Sequence, residues 1–151
     1  MGIRSRLLAL AVFAGVVCGA SAASAQGMHF FAVLNGGNEI SPGGAANAGD
    51  PNGFGTANVM FAGAGRLCFG ISVFGISPPN AAHIHEAEAG SNGPIRVTLT
   101  EPSSGNPGAS SGCVTGIAAA LLARIRNTPG NFYINVHTGQ FPAGAVRGQL
   151  F

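Results

Sequence analysis

Phe54-Gly55-Thr56-Ala57-Asn58-Val59-Met60-Phe61, a break at Gly63-Ala64-Gly65, then Arg66-Leu67-Cys68-Phe69-Gly70-Ile71-Ser72-Val73-Phe74 is the stretch from which the fold can be read. Successive residues of an extended chain point to opposite faces, so period-two alternation marks a strand. In the first run Gly55, Ala57, Val59 and Phe61 share one face and Phe54, Thr56, Asn58 and Met60 the other. In the second, Leu67, Phe69, Ile71 and Val73 alternate with Cys68, Gly70, Ser72 and Phe74. Two such runs about a short glycine turn predict a hairpin. Apolar groups on both faces of the second run predict that it lies inside a sheet.

Working outward, the same reading applies on either side. His29 to Leu34 is a strand, and the glycine-, asparagine- and proline-rich segment Asn35 to Asn52 is a loop. Beyond Pro78-Pro79, Ala81 to His85 is a strand, Glu86 to Gly93 a loop, and Pro94 to Thr100 a strand with Ile95, Val97 and Leu99 inward. Pro102 to Gly112 reads as a loop and Cys113 to Thr115 as a short strand or edge. Ile117, Leu121, Leu122 and Ile125 fall at helical spacing, with Arg124 and Arg126 near the end and Thr128-Pro129-Gly130 as the stop. These predict one short α-helix over 117–126. Phe132 to Thr138 and Val146 to Phe151 form a second hairpin. Seven or eight short strands and a single helix predict an all-β domain, an antiparallel β-sandwich or barrel.

The first 25 residues stand apart. Arg4 and Arg6, the apolar run Leu7 to Val17 and the small residues Ala23-Ser24-Ala25 make a secretory signal peptide cleaved before Gln26, leaving a single domain over 26–151. The apolar run is too short to span a membrane. Two of the seven arginines lie in that segment, so five remain against five acids, with no lysine anywhere. A mature chain of formal charge zero argues against nucleic-acid binding and against docking on anionic lipid. Its expected place is secreted or periplasmic. There the remaining cysteines, Cys68 and Cys113, are expected to form one disulfide.

Three of the four histidines fall at strand ends: His83 and His85 in Ala82-His83-Ile84-His85, and His137 in Tyr133-Ile134-Asn135-Val136-His137-Thr138. His83 and His85 share a face, and His137 joins them if its strand lies beside theirs. A His-x-His pair with a third histidine is a recurrent way to hold copper or zinc, because neutral imidazoles bind such ions at about 2.0–2.1 Å and three of them leave a position open. Glu86 or Glu88 is a candidate oxygen ligand or orienting acceptor. Tyr133 and Asn135 share the His137 face. The bland alternative is that the histidines brace their loops, while Arg96 and Arg147 pair with Glu86, Glu88 or Glu101. Serine-hydrolase, glycosidase and phosphate-loop patterns are missing.

Ala82-His83-Ile84-His85 with Ala89-Gly90-Ser91-Asn92-Gly93-Pro94-Ile95, and Tyr133 to Thr138 with Pro142-Ala143-Gly144-Ala145-Val146-Arg147-Gly148-Gln149-Leu150, resemble the two long motifs of the CHRD (chordin-like) domain family. Leu34 to Pro42, with Glu39, is similar to that family's opening, and Glu86-Ala87-Glu88 departs from it where a glycine often stands. The resemblance covers about Met28 to Phe151. It implies an immunoglobulin-like β-sandwich exported from the cell. The leading expectation for function is a binding module with a His83/His85/His137 metal site, and the candidate partner is an extracytoplasmic protein or glycan. The alternatives are a small copper/zinc enzyme of redox or superoxide type, and a purely structural domain. Catalysis is the less favoured of these.

Overall fold

A computed structural model describes residues 28–151, so the signal-peptide reading lies outside the described residues. The described residues form eight antiparallel strands: β1 (His29–Asn35), β2 (Phe54–Phe61), β3 (Leu67–Phe74), β4 (Pro79–Glu86), β5 (Ile95–Leu99), β6 (Gly108–Val114), β7 (Phe132–Thr138) and β8 (Val146–Gln149). Among the described residues one α-helix, α1 (Ala119–Asn127), precedes β7. The strands make one sheet in the order β5-β4-β7-β8-β1-β2-β3-β6. That sheet curls nearly shut. Its edges meet where the Ser110 hydroxyl donates to the Thr100 carbonyl at 2.8 Å and the Ser103 N–H to the Ala109 carbonyl at 3.3 Å. The all-β expectation is met, at the barrel end of the range between sandwich and barrel.

Alternation builds the core. Phe30, Ala32 and Leu34 of β1, Ala57 and Val59 of β2, and Leu67, Phe69, Ile71 and Val73 of β3 all point into the barrel. They meet Ala82 and Ile84 of β4, Val97 and Leu99 of β5, and Ile134 and Val136 of β7. Burying one such side chain contributes about 1.5–3 kcal/mol, so the two-residue period is enforced on every strand. The β2–β3 hairpin pairs in full register, Phe54 opposite Phe74 through Phe61 opposite Leu67. β3 is interior to the sheet, flanked by β2 and β6.

Three expectations shift. The polar run Gly108-Ala109-Ser110-Ser111-Gly112, read as loop, is strand, because β3 offers it an open edge and each residue pairs there. Backbone pairing overrides weak local propensity. Ile95 is exposed, not inward, since it begins β5 beside the irregularity between Ile84 and His85. The helix starts two residues late because the Ile117 N–H is already bonded to the Gly65 carbonyl at 3.0 Å and Gly116 takes a φ of +76°. The Cys68–Cys113 disulfide joins directly paired residues of β3 and β6. Among the described residues no helix is long and apolar enough to cross a membrane.

Candidate metal centre

β4 and β7 lie side by side, with Ala81 opposite His137, His83 opposite Asn135 and His85 opposite Tyr133. Because Ala82, Ile84, Ile134 and Val136 face the core, the residues between them must face out. His83, His85, Tyr133, Asn135 and His137 are therefore neighbours on the outer surface of the barrel. The three histidines each offer a ring nitrogen, and these atoms lie within 4.8 Å of one another. His83 Nδ1 and His137 Nε2 are 3.1 Å apart.

The hydrogen bonds decide which nitrogens carry lone pairs. A carbonyl oxygen only accepts, so His85 must donate through Nδ1 to Gly93 at 2.8 Å and His137 through Nδ1 to Pro142 at 3.0 Å. Each donation leaves Nε2 as the free lone pair. On His85 that Nε2 is buried and, among the described residues, has no hydrogen-bond partner. On His137 it accepts the His83 Nδ1 proton across 3.1 Å in the metal-free protein, so His83 must shift its proton to Nε2 to offer Nδ1 to an ion. The Asn135 side-chain amide also lies 3.1 Å from His137 Nε2. Burial pushes the His83 ring down to about 4, helped by His137 and His85 beside it. Burial likewise lowers His85 and His137, against the upward pull of the Gly93 and Pro142 carbonyls. The three rings are neutral at physiological pH, the form in which imidazole binds a metal.

A second, polar core holds this cluster in place. Loops 36–53 and 87–93 cover the outer face of β7 and β8 and bury Glu39, Asn135 and Arg147 beneath them. The Arg147 guanidinium lies 3.4 Å over the Tyr133 ring, and Tyr133 stacks in turn on His85 with centroids 4.8 Å apart and planes 6° from parallel. Arg147 donates to the Ser91 carbonyl at 2.8 Å, the Glu88 carbonyl at 3.2 Å and Asn92 Oδ1 at 3.3 Å. Asn92 then donates to the carbonyls of Ile40 and Ser41, both at 3.0 Å, tying the two loops together. Gly93, at the end of the clamped loop, also donates its N–H to the Tyr133 hydroxyl at 3.3 Å. The carbonyl that orients His85 thus belongs to a loop fixed by Arg147. Glu39 packs against Gly144, where any Cβ would collide with its carboxylate. Burial raises the Glu39 carboxyl to about 7 despite the nearby Arg147 charge.

The sequence expectations can be placed residue by residue. His83, His85 and His137 come together. Tyr133 and Asn135 join them on the same face. The Glu86 carboxylate lies outside that cluster, pairing with Arg96 at 2.6 Å and with Arg124 of α1 at 2.8 Å, which pins the helix to β4 and β5. Arg147 does not pair with Glu86, Glu88 or Glu101 as the bland reading expected, since it is buried under the loops. What it takes from Glu88 is the backbone carbonyl, and the Glu88 side chain is exposed. His29 is exposed at the start of β1. Sequence reading missed the roles of Arg147, Glu39 and Asn92. The one available signal was parity, since Arg147 stands opposite Asn135 in the β7–β8 register and so on the histidine face.

The donor set suits copper or zinc. Two ligands about 2.05 Å from an ion at tetrahedral angles are roughly 3.3 Å apart, close to the 3.1 Å between His83 Nδ1 and His137 Nε2. The unpartnered Nε2 of His85 supplies the third. No curated protein and no solved structure matches the chain. The family model of the CHRD domain matches residues 30–150, nearly all of the described chain, and the protein belongs to that family.

Proposed function

We propose that this protein is an exported CHRD-type binding module that holds one copper or zinc ion through His83 Nδ1, His85 Nε2 and His137 Nε2. The observation that carries this is the buried, unpartnered Nε2 of His85, fixed as a lone pair by the Gly93 carbonyl and set among two further ring nitrogens. Orphaned buried polar atoms are rare in folded proteins, and a ligand is the simplest way to satisfy one. Gly93 and Pro142 hold two of the ligand rings by the second-sphere contacts that metal-binding histidines usually make. An ion held by three imidazoles keeps a coordination position open to water or to a donor from a partner. Export rests on the basic, apolar and small-residue order of the first 25 residues, with a mature domain over 26–151. It is supported by the Cys68–Cys113 disulfide. The partner would be an extracytoplasmic protein or glycan.

The structural reading has an observation of its own, because His85 and His137 each brace a loop carbonyl. Metal content separates the two readings. Wild type, His83→Ala and His85→Ala are exposed to copper or zinc, desalted and measured by inductively coupled plasma mass spectrometry. One metal per wild-type chain, lost in both variants while their circular dichroism is unchanged, supports the metal site. A metal-free wild type removes it and leaves the histidines as braces. If metal binds, superoxide and other redox turnover assays on the loaded protein distinguish the binding module from a small metalloenzyme.

A further inference from the structure

The barrel has a second unusual surface, separated from the histidine-bearing strands β4 and β7 by β8 in the sheet. On the outer face of β6, β3, β2 and β1 the register sets Ser111, Gly70, Asn58 and Phe31 side by side in one row. The row continues to Phe151, whose backbone exchanges two 3.0 Å hydrogen bonds with Phe31. The neighbouring row is Ala109, Ser72, Thr56 and Val33. Beyond it, Phe54 and Phe74 stack with centroids 5.3 Å apart. A shallow groove of about 340 Å³ runs over Thr56, Asn58, Gly70, Ser72 and Ser111. Gly70 forms its floor, since only the Asn58 side chain approaches where a Cβ would stand.

Two features define what could fill this groove. No outward residue of these four strands is Asp, Glu, Lys or Arg, and the only titratable side chain among them is His29, at the start of β1. The polar and apolar groups are also arranged opposite to a protein interface. Interfaces between proteins are apolar at the centre and polar at the rim. Here Thr56, Asn58, Ser72 and Ser111 occupy the centre, and among the described residues their side chains make no hydrogen bond to protein. The apolar groups Phe31, Val33, Phe54 and Phe151, each more than half exposed, stand at the border. Apolar side chains so grouped mark a site of interaction.

We propose that this face binds a neutral polysaccharide. Sugar hydroxyls are both donors and acceptors and match the amide and hydroxyls at the centre. The C–H faces of sugar rings are apolar and fit the phenylalanine border. The absence of cations turns away nucleic acid and acidic glycans, which are held through charge. This site is independent of the histidine cluster.

The test is native affinity electrophoresis in gels containing laminarin, dextran, galactomannan, arabinoxylan or hydroxyethylcellulose, with polygalacturonate as the acidic control. Wild type should be retarded by at least one neutral polymer and not by polygalacturonate. Phe31→Ala/Asn58→Ala and the groove-filling Gly70→Val should each weaken binding at least tenfold, and His83→Ala should leave it unchanged. All these positions are on the surface, and near-ultraviolet circular dichroism checks that each variant is folded. Free migration of folded wild type through every neutral gel overturns the proposal. So does retardation that survives both variants. A dimer seen by light scattering and dissolved by Phe31→Ala would overturn it too, showing that a second copy covers the face.

Discussion

Replacing Arg147 by leucine should cost about 3 kcal/mol and loosen the loop that orients His85. The guanidinium makes three hydrogen bonds to loop 87–93 and lies on the Tyr133 ring. Hydrogen bonds from a charged donor contribute roughly 1.5–3 kcal/mol each, so three give an upper bound of about 9. Two effects reduce that bound. A pocket of about 320 Å³ borders Arg147, so water can reach the abandoned carbonyls of Glu88 and Ser91. Removing Arg147 also recovers the desolvation of a buried cation, while Glu39, already raised to about 7, becomes more fully protonated once its neighbouring positive charge is gone. The remainder is about 3 kcal/mol, near the lower end of what breaking a buried charged network costs. Urea unfolding of the metal-free protein at pH 7 measures it, and hydrogen exchange at residues 88–93 reports the loop. A loss under 1 kcal/mol with unchanged exchange would refute the clamp, and with it the claim that Arg147 positions His85 through Gly93.

Three more expectations concern charge and covalent structure. Glu39 is raised from 4.5 to about 7, so between those values the folded state keeps a proton that the unfolded chain has lost. Its stabilising effect is complete below pH 4.5 and is lost as pH rises through 7, a difference of roughly 3 kcal/mol. Metal-free Glu39→Gln should therefore lack the decline that wild type shows between about pH 4.5 and 7 in urea titrations. His83 has the opposite sign. Lowered to about 4, its neutral form stabilises the fold above pH 6.5, and that contribution should be lost as pH falls through 4. Nuclear magnetic resonance titration of metal-free protein should find the His83 ring still neutral at pH 5.5. Reducing Cys68–Cys113, which closes a separation of 45 residues, should lower stability by at most roughly 4 kcal/mol in the chain-entropy account, read by denaturation with and without reductant.

The strands that fill the barrel were legible because their signal is local. Phe54 to Phe61 and Leu67 to Phe74 alternate cleanly, and burial of every second residue is what a sheet requires. β6 was legible only at its end, Cys113-Val114, because Gly108 to Gly112 has no such pattern and is extended only where β3 pairs with it. The shared face of His83 and His85 follows from a spacing of two. That His137 completes the set depends on β4 lying beside β7, two strands nearly fifty residues apart in sequence.

The sequence by itself therefore determined the all-β class, most strand limits, the cysteine pair, the near-neutral surface and three histidines with metal-ligand chemistry. All of these rest on composition or on neighbours within a few residues. Only the tertiary structure decided that the strands form one nearly closed sheet, that two loops bury Glu39 and Arg147 on its outside, and which nitrogen of His85 is left free. Those outcomes depend on contacts between distant segments. A side chain's burial and a ring's tautomer are set by what folds over it, and a one-dimensional pattern does not carry that information.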